Sequence, residues 1–386
     1  MTVKRNGYKL ESFYINGDWK KSRHSTEEIS IINPATAKVI GSVALGDDQD
    51  VDDAVVAARA ALQIFQGSSK EERIAYLEKI LAIYKSRYED FVEAISLEMG
   101  SPITLSRDAQ AYTGIEHLES TIQALKKFEL REEYSGYSLN FEPVGVCGLI
   151  TPWNWPISQL VCKVAPAIAA GCTMIVKPSE FSPLSAQLFT EVIDQAELPK
   201  GVFNLVYGSG QKVGSAISHH PDIDMVSFTG STLAGIAVAQ AAATTVKRVC
   251  QELGGKSPII LTEGIDLESV VPECLWLCME NTGQSCNAGT RLLAPESLHD
   301  EVVEIAKKTA ESYIVGNPCD EATQLGPLAN RVQFEKVRAI LCDAETAGIR
   351  PVTGGSGPVP GCRAGYFIQP TIFSGLRKDQ PIANEE

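Results

Sequence analysis

Between Val144 and Leu253, β-prone apolar runs alternate with segments of helical periodicity, and no other feature of the 386-residue chain limits its fold as strongly. The runs are Val146–Ile150, Thr173–Val176, Phe203–Val206 and Met225–Phe228. Helical stretches separate or follow them at Ser158–Ala170 (stopped by Gly171), Ser182–Gln195, near Val213–Ile217, and at Leu233–Ala242. Strands that alternate with helices build a parallel sheet covered on both faces. Such sheets bind ligands beyond the carboxyl ends of their strands, so the segments following each run are the first places to look for chemistry. The length exceeds that of one ordinary core, and two packed units are expected.

The stretch Val249–Arg291 carries two further signals. Gln251-Glu252-Leu253-Gly254-Gly255-Lys256 sets a carboxylate before a glycine pair at the end of a β-prone run. Asn281-Thr282-Gly283-Gln284-Ser285-Cys286-Asn287-Ala288-Gly289-Thr290-Arg291 sets a cysteine in a small, polar, glycine-flanked loop. A thiol attacks as thiolate, and a free one with pKa of about 8.5 is mostly protonated at neutral pH. A nearby carboxylate can take its proton, and glycine-rich backbone can offer amides to a developing oxyanion. Either segment alone reads as a buried cysteine or a surface glutamate; together they suggest covalent thiol chemistry.

Glu252-Leu253-Gly254-Gly255-Lys256, followed by Gly283-Gln284-x-Cys286-x-Ala288-Gly289-Thr290-Arg291, closely resembles the aldehyde dehydrogenase superfamily, and the resemblance runs from about Phe13 to the last residue. It implies an α/β fold: a Rossmann-variant parallel-sheet cofactor domain, an α/β catalytic domain, and a β-hairpin arm for oligomerisation. The expected divisions are 1–127 (N-terminal part of the NAD-binding domain), 128–142 (hairpin), 143–253 (NAD-binding core) and 254–386 (catalytic domain). In the family Asn384-Glu385-Glu386 opens a motif continuing Ile-Phe-Gly-Pro, so the catalytic domain is expected to be incomplete at its C-terminal end.

The resemblance also assigns roles. Cys286 is the nucleophile, Glu252 the base that activates water, and Asn154, held in Thr151-Pro152-Trp153-Asn154-Trp155-Pro156, the oxyanion-binding amide. Lys163 matches a lysine in the family's proton path, although a solvated helix lysine has the same appearance. For NAD, the implied contacts after the first two runs are Ile150, Thr151, Pro152 and Trp153, then Lys177, Ser179 and Glu180 at the adenosine ribose. Gly210 and Gly214 lie on the adenine side. Phe228, Thr229, Gly230 and Ser231 lead to the pyrophosphate at a helix N-terminus, and Leu253 and Gly254 follow the last run. Gln333 and Glu386 match positions at the nicotinamide ribose. A carboxylate at Glu180 repels a 2′-phosphate, favouring NAD over NADP. Gln159, Cys162, Ser285 and Asn287 match positions near the substrate channel.

Other patterns carry less. Gly208-Ser209-Gly210-Gln211-Lys212-Val213-Gly214 is G-x-G-x-x-x-G, a weak match to the dinucleotide fingerprint. Gly254-Gly255-Lys256-Ser257 resembles the end of a P-loop, but Cys250 stands where that motif needs glycine. The net charge of −14 disfavours nucleic acid and anionic membranes as partners. No apolar run approaches the ~20 residues that span a bilayer, and the start shows no signal-peptide core. Ten scattered cysteines then read as reduced thiols in the cytoplasm. Cys274 and Cys278, four apart on a predicted helix, lack nearby histidines, so no metal site is expected.

The expected activity is therefore oxidation of an aldehyde to a carboxylic acid by a homodimer or homotetramer. Transfer of the acyl group to coenzyme A is the less favoured outcome, because such enzymes generally lack a base at the Glu252 position. A non-catalytic, cofactor-binding homologue is the rival from a different class.

Overall fold

The computed structural model describes residues 7–385. The chain divides into two compact units. The first contains the chain up to Ile31, Val39–Ile95 and Arg107–Leu253; the second contains Ile32–Lys38, Ser96–Ser106 and the chain from Gly254 onward.

In chain order the strands are β1 (Tyr8–Leu10), β2 (Phe13–Ile15), β3 (Asp18–Lys20), β4 (Glu28–Asn33), β5 (Lys38–Ala44), β6 (Arg131–Tyr134), β7 (Tyr137–Asn140), β8 (Val146–Ile150), β9 (Thr173–Lys177), β10 (Phe203–Leu205), β11 (Met225–Gly230), β12 (Arg248–Leu253), β13 (Pro258–Ile260) and β14 (Arg291–Leu293). The first unit is organised on a seven-stranded sheet of order β12-β11-β8-β9-β10-β2-β3. Its five strands from β8 to β12 run parallel. The β2–β3 hairpin adds antiparallel to β10. That hairpin turns on Asn16 and Gly17, whose φ values of 56° and 72° are what an Asn-Gly turn requires.

Every residue of β8, β9 and β10 is buried, which explains the apolar runs Val146–Ile150 and Met174–Val176, while Asn204 in β10 is satisfied by donating to the carbonyls of Met174 (3.1 Å) and Gly201 (2.8 Å). Gly148 in β8 is needed for packing: a Cβ there would lie 2.3 Å from Ile217 Cγ2. From β8 the chain winds outward through β9 to β10, then crosses back to β11 and β12. The order therefore reverses between β8 and β11, and a crevice is expected there at the carboxyl ends.

The helices largely follow the sequence periodicity, with informative exceptions. Ser69 caps Lys70–Ser86 and shares a capping box with Glu72 (3.1 and 2.7 Å), worth about 1 kcal/mol. Helical periodicity in the sequence continues from there to Met99, but the chain forms two helices, Lys70–Ser86 and Tyr88–Met99, divided at Arg87, whose φ and ψ of −111° and 17° leave the helical range. Helical periodicity also spans Leu105–Lys127, and there a π-helical turn, Ser106–Gln110, precedes the α-helix Tyr112–Lys127. The helix after β8 starts at Pro156 instead of Ser158, because proline at the first helical position has φ already set and no N–H to leave unpaired.

In the second unit, β13 and β14 pair in parallel. Leu261, Val271 and Leu275 pack with Val302 and Ile305 of helix His299–Ser312. Among the described residues, no helix is long and apolar enough to cross a membrane.

Candidate active site

The carboxyl edge of the parallel sheet gathers most of the residues singled out from the sequence. Ile150 pairs with Lys177 and with Phe228, Thr229 with Glu252, and Gly230 with Leu253. The Thr151 amide extends this level by donating to the Lys177 carbonyl at 3.1 Å.

Lys177 is 3% exposed. Its ammonium donates to the carbonyls of Pro178 at 2.8 Å and Gly208 at 2.9 Å, and lies 3.5 Å from the partly exposed Glu180 carboxylate. Burial depresses its pKa, and the Glu180 charge opposes that shift. The lysine thereby ties the turn after β9 to the loop after β10. Ser179 is buried beside it and accepts from the Phe181 amide at 3.3 Å. Gly210 and Gly214 bound a π-helical turn capped by Ser209, which leads directly into the α-helix Ser215–His219, so the helix expected near Val213–Ile217 is present with a π-helical start. A Cβ at Gly210 would meet nothing, so the backbone there is open.

β11 ends at Gly230, and Ser231 caps helix Thr232–Ala243 by accepting from the Ala234 amide at 3.4 Å. That helix N-terminus faces the same edge and favours an anion. Thr229 Oγ1 is buried with no hydrogen-bond partner among the described residues. An orphaned buried hydroxyl is costly, and a ligand could satisfy it.

Glu252 is the penultimate residue of strand β12, at the end of the β-prone run read from the sequence. It is exposed, and strand alternation puts it on the same side as Cys250. Cys250 pairs with Ser227, whose hydroxyl accepts from the Lys163 ammonium at 2.9 Å. Lys163 is 8% exposed, and burial lowers its pKa while Cys162, Cys250 and Glu252 act to raise it. A sheet-facing lysine among acidic groups replaces the alternative of a solvated one. Burial pushes the Cys162 thiol up.

Asn154 is half-buried in the bend before Pro156, together with Pro152 and Trp153. Its carbonyl accepts from Gln110 Nε2 at 3.3 Å.

Cys286, Gly254 and Gln333 belong to the second unit. Helix Leu267–Met279 is followed by three consecutive left-handed residues, Asn281, Thr282 and Gly283, with φ of 56°, 58° and 73°. A β-branched threonine in this region is strained, and such strain persists only where surrounding structure enforces it. Here Asn281 Nδ2 donates to the Gln284 carbonyl at 3.2 Å, and Gln284 Nε2 returns a bond to the Asn281 carbonyl at 3.0 Å. The Ala329 amide donates to Gln284 Oε1 at 2.9 Å, and Thr282 Oγ1 donates to the Gly326 carbonyl at 3.2 Å. Cys286 follows in a turn, half-exposed, whereas Cys274 on the preceding helix is buried. At the loop's exit, the Arg291 amide and Nε donate to the carbonyls of Ser257 (3.2 Å) and Lys256 (2.7 Å). The thiol loop is thus clamped at both ends. Gln333 is in the first turn of helix Arg331–Thr346, its amide bonded to the capping Asn330 at 2.9 Å. Glu386 lies outside the described residues.

Sequence reading assigned no role to Gln110, Ser227, Asn281 or Arg291. Gln284 stood in the quoted motif, but its buried clasp depends on Ala329, 45 positions away.

The aldehyde dehydrogenase family model matches residues 19–386. A 3-succinoylsemialdehyde-pyridine dehydrogenase from a Pseudomonas species is 45% identical over 375 residues, spanning 97% of this chain and 78% of that protein. Among solved structures, a cysteine-to-alanine mutant of aldehyde dehydrogenase C from Pseudomonas syringae, complexed with NAD+ and octanal, is 46% identical. It superposes with a TM-score of 0.96, covering 99% of this chain and 78% of its own. Betaine aldehyde dehydrogenase from Staphylococcus aureus, in complex with NAD+, gives 30% identity and a TM-score of 0.93 over 97% of this chain and 75% of its own. Motifs, sheet order and these matches agree: the chain belongs to the aldehyde dehydrogenase family.

Proposed function

We propose that this chain oxidises an aldehyde to the carboxylic acid with NAD. The observation that carries the reading is the ladder of Ile150, Lys177, Thr229 and Leu253 along one sheet edge, in a chain of this family. The open backbone at Gly210, the helix N-terminus at Ser231 and the orphaned Thr229 hydroxyl fit a dinucleotide. Lys177 and Glu180 hold the adenosine ribose, Gly230 and Ser231 the pyrophosphate, and Gln333 and Glu386 the nicotinamide ribose. Bound NAD supplies the hydride acceptor.

Cys286 Sγ adds to the aldehyde carbon, giving a thiohemiacetal whose oxygen is stabilised by the Asn154 side-chain amide and the Cys286 N–H. Once the carbon-bound hydride has left, Cys286 carries an acyl thioester. Glu252 takes a proton from water, the hydroxide adds to the thioester carbon and expels Cys286 as the thiolate, and Lys163 with Ser227 supports proton movement behind it. A nucleophilic thiol must stay reduced, which suits the cytoplasm.

General-base help is typically worth ~10²–10⁴-fold, so Glu252→Gln should slow deacylation by that order while sparing hydride transfer. Rapid mixing with NAD and an aldehyde should give a burst of about one NADH per active site, then slow turnover. Deacylation at the unmutated rate, or acyl-coenzyme A formed when coenzyme A is added to the unmutated protein, would overturn the hydrolytic assignment.

A further inference from the structure

The segment that carries Asn154 is stiffened by Pro152 and Pro156, yet the peptide between Asn154 and Trp155 lies outside the following helix, which starts at Pro156. The orientation of that peptide sets ψ of Asn154 and with it how the Asn154 side chain stands relative to the helix it precedes, and a small angular error at an oxyanion donor is costly in rate. The carbonyl receives Gln110 Nε2 at 3.3 Å, from a residue 44 positions earlier that is 1% exposed.

Gln110 is the last residue of the π-helical turn Ser106–Gln110. Such turns are rare, interrupt regular hydrogen bonding, and recur at functional sites. This one is braced: Tyr84 Oη donates to the Ala111 carbonyl at 2.7 Å, and Thr113 Oγ1 to the Gln110 carbonyl at 2.8 Å. Tyr84 is fully buried and stacks on Phe91, with ring centroids 4.3 Å apart. One turn further on, Gly114 lets the helix approach closely, since a Cβ there would lie 2.9 Å from Ile157 Cγ2. His117 Nε2 and Ser158 Oγ meet at 3.1 Å. The helix after the π turn is thus registered against the helix that Asn154 precedes, and Gln110 sits where the two begin.

We propose that Gln110 is a positioning residue for the reaction: presented inward by the π turn, its amide locks the Asn154–Trp155 peptide and so fixes the direction of the Asn154 side chain. The inference rests on the proposed oxyanion role of Asn154 and adds the residue that sets it.

The direct test is hydrogen exchange on this chain, unmutated and as Gln110→Met, which keeps the side-chain length and removes the donor. Exchange at the Trp153, Asn154 and Trp155 amides should accelerate by about tenfold, while β8 and β9 keep their protection. Gln110→Asn, which keeps an amide but shortens its reach, should give the same localised loosening and serves if the methionine variant does not fold. The kinetic arm is the NADH burst with an aldehyde: Gln110→Met should slow thioester formation by about five- to tenfold without changing NAD affinity, and should cost nothing further in an Asn154→Ala background. Unchanged exchange in the loop, loosening spread through the sheet, or an equal slowing with Asn154 already removed would overturn the proposal. Undiminished thioester formation in Asn154→Ala alone would instead overturn the oxyanion reading, whatever Gln110→Met does to exchange.

Discussion

Cys286 differs from the other nine cysteines in its surroundings more than in its chemistry. It follows a strained left-handed run held by the Asn281–Gln284 clasp, whereas its partial exposure is shared with Cys162, Cys278, Cys342 and Cys362. Cys286→Ala should abolish NADH formation. It should leave NAD-induced stabilisation intact, because the proposed adenosine and pyrophosphate contacts are made by other residues. Ligand at 100 times its Kd stabilises by about 2.7 kcal/mol, so a thermal-melt comparison with and without NAD can read this. Aldehyde oxidation at the unmutated rate would remove Cys286 from the mechanism.

Among elements, helix Tyr112–Lys127 and helix Pro156–Ala169 are coupled by a titratable contact. His117 is partly buried against Ser158, and desolvation holds its pKa below the ordinary value, opposed by Glu116. Near pH 6.5 the unfolded chain therefore binds this proton more readily than the folded one. The stability from a neutral His117 is fully present above the ordinary histidine pKa of about 6.5 and declines as pH falls toward the depressed folded value. Melting temperature should drop on acidification from pH 7.5 to 5.5, and His117→Gln should flatten that slope. An identical slope in the variant would assign the effect to other groups.

For the whole molecule, the first unit leaves two apolar surfaces uncovered. Helix Thr232–Ala243 exposes Leu233 at 80% and Ile236 at 50%. The β6–β7 hairpin exposes stacked Tyr134 and Tyr137 rings 5.0 Å apart. Contiguous exposed apolar surface marks an interaction site, and two-stranded hairpins are marginal alone. A homo-oligomer of the kind the family resemblance implies would cover both. Leu233→Lys with Ile236→Glu should lower the mass measured by light scattering to that of a smaller assembly, without loss of helical signal. An unchanged mass would remove this helix from the interface.

Much of this protein was legible in its residues. Unbroken apolar runs at Val146–Ile150 and Met174–Val176 declare strands buried on both faces, and the helices that follow them force parallel pairing. Asn16-Gly17 names its own turn, and Ser69 with Glu72 its own helix start. These signals are local, set by backbone sterics and capping within a few residues. The segments flanking Glu252 and Cys286 carried the family for the same reason. What only the tertiary structure decided lies between residues far apart in sequence. Nothing near Gln110 announces that its amide meets Asn154, nor does anything near Lys163 announce Ser227, because each contact depends on how helices pack on the sheet. The break at Arg87 and the π turn at Ser106–Gln110 follow the same logic. Periodicity states that a segment is helical or extended, but where it bends or ends is settled by the side chains and carbonyls it meets once folded.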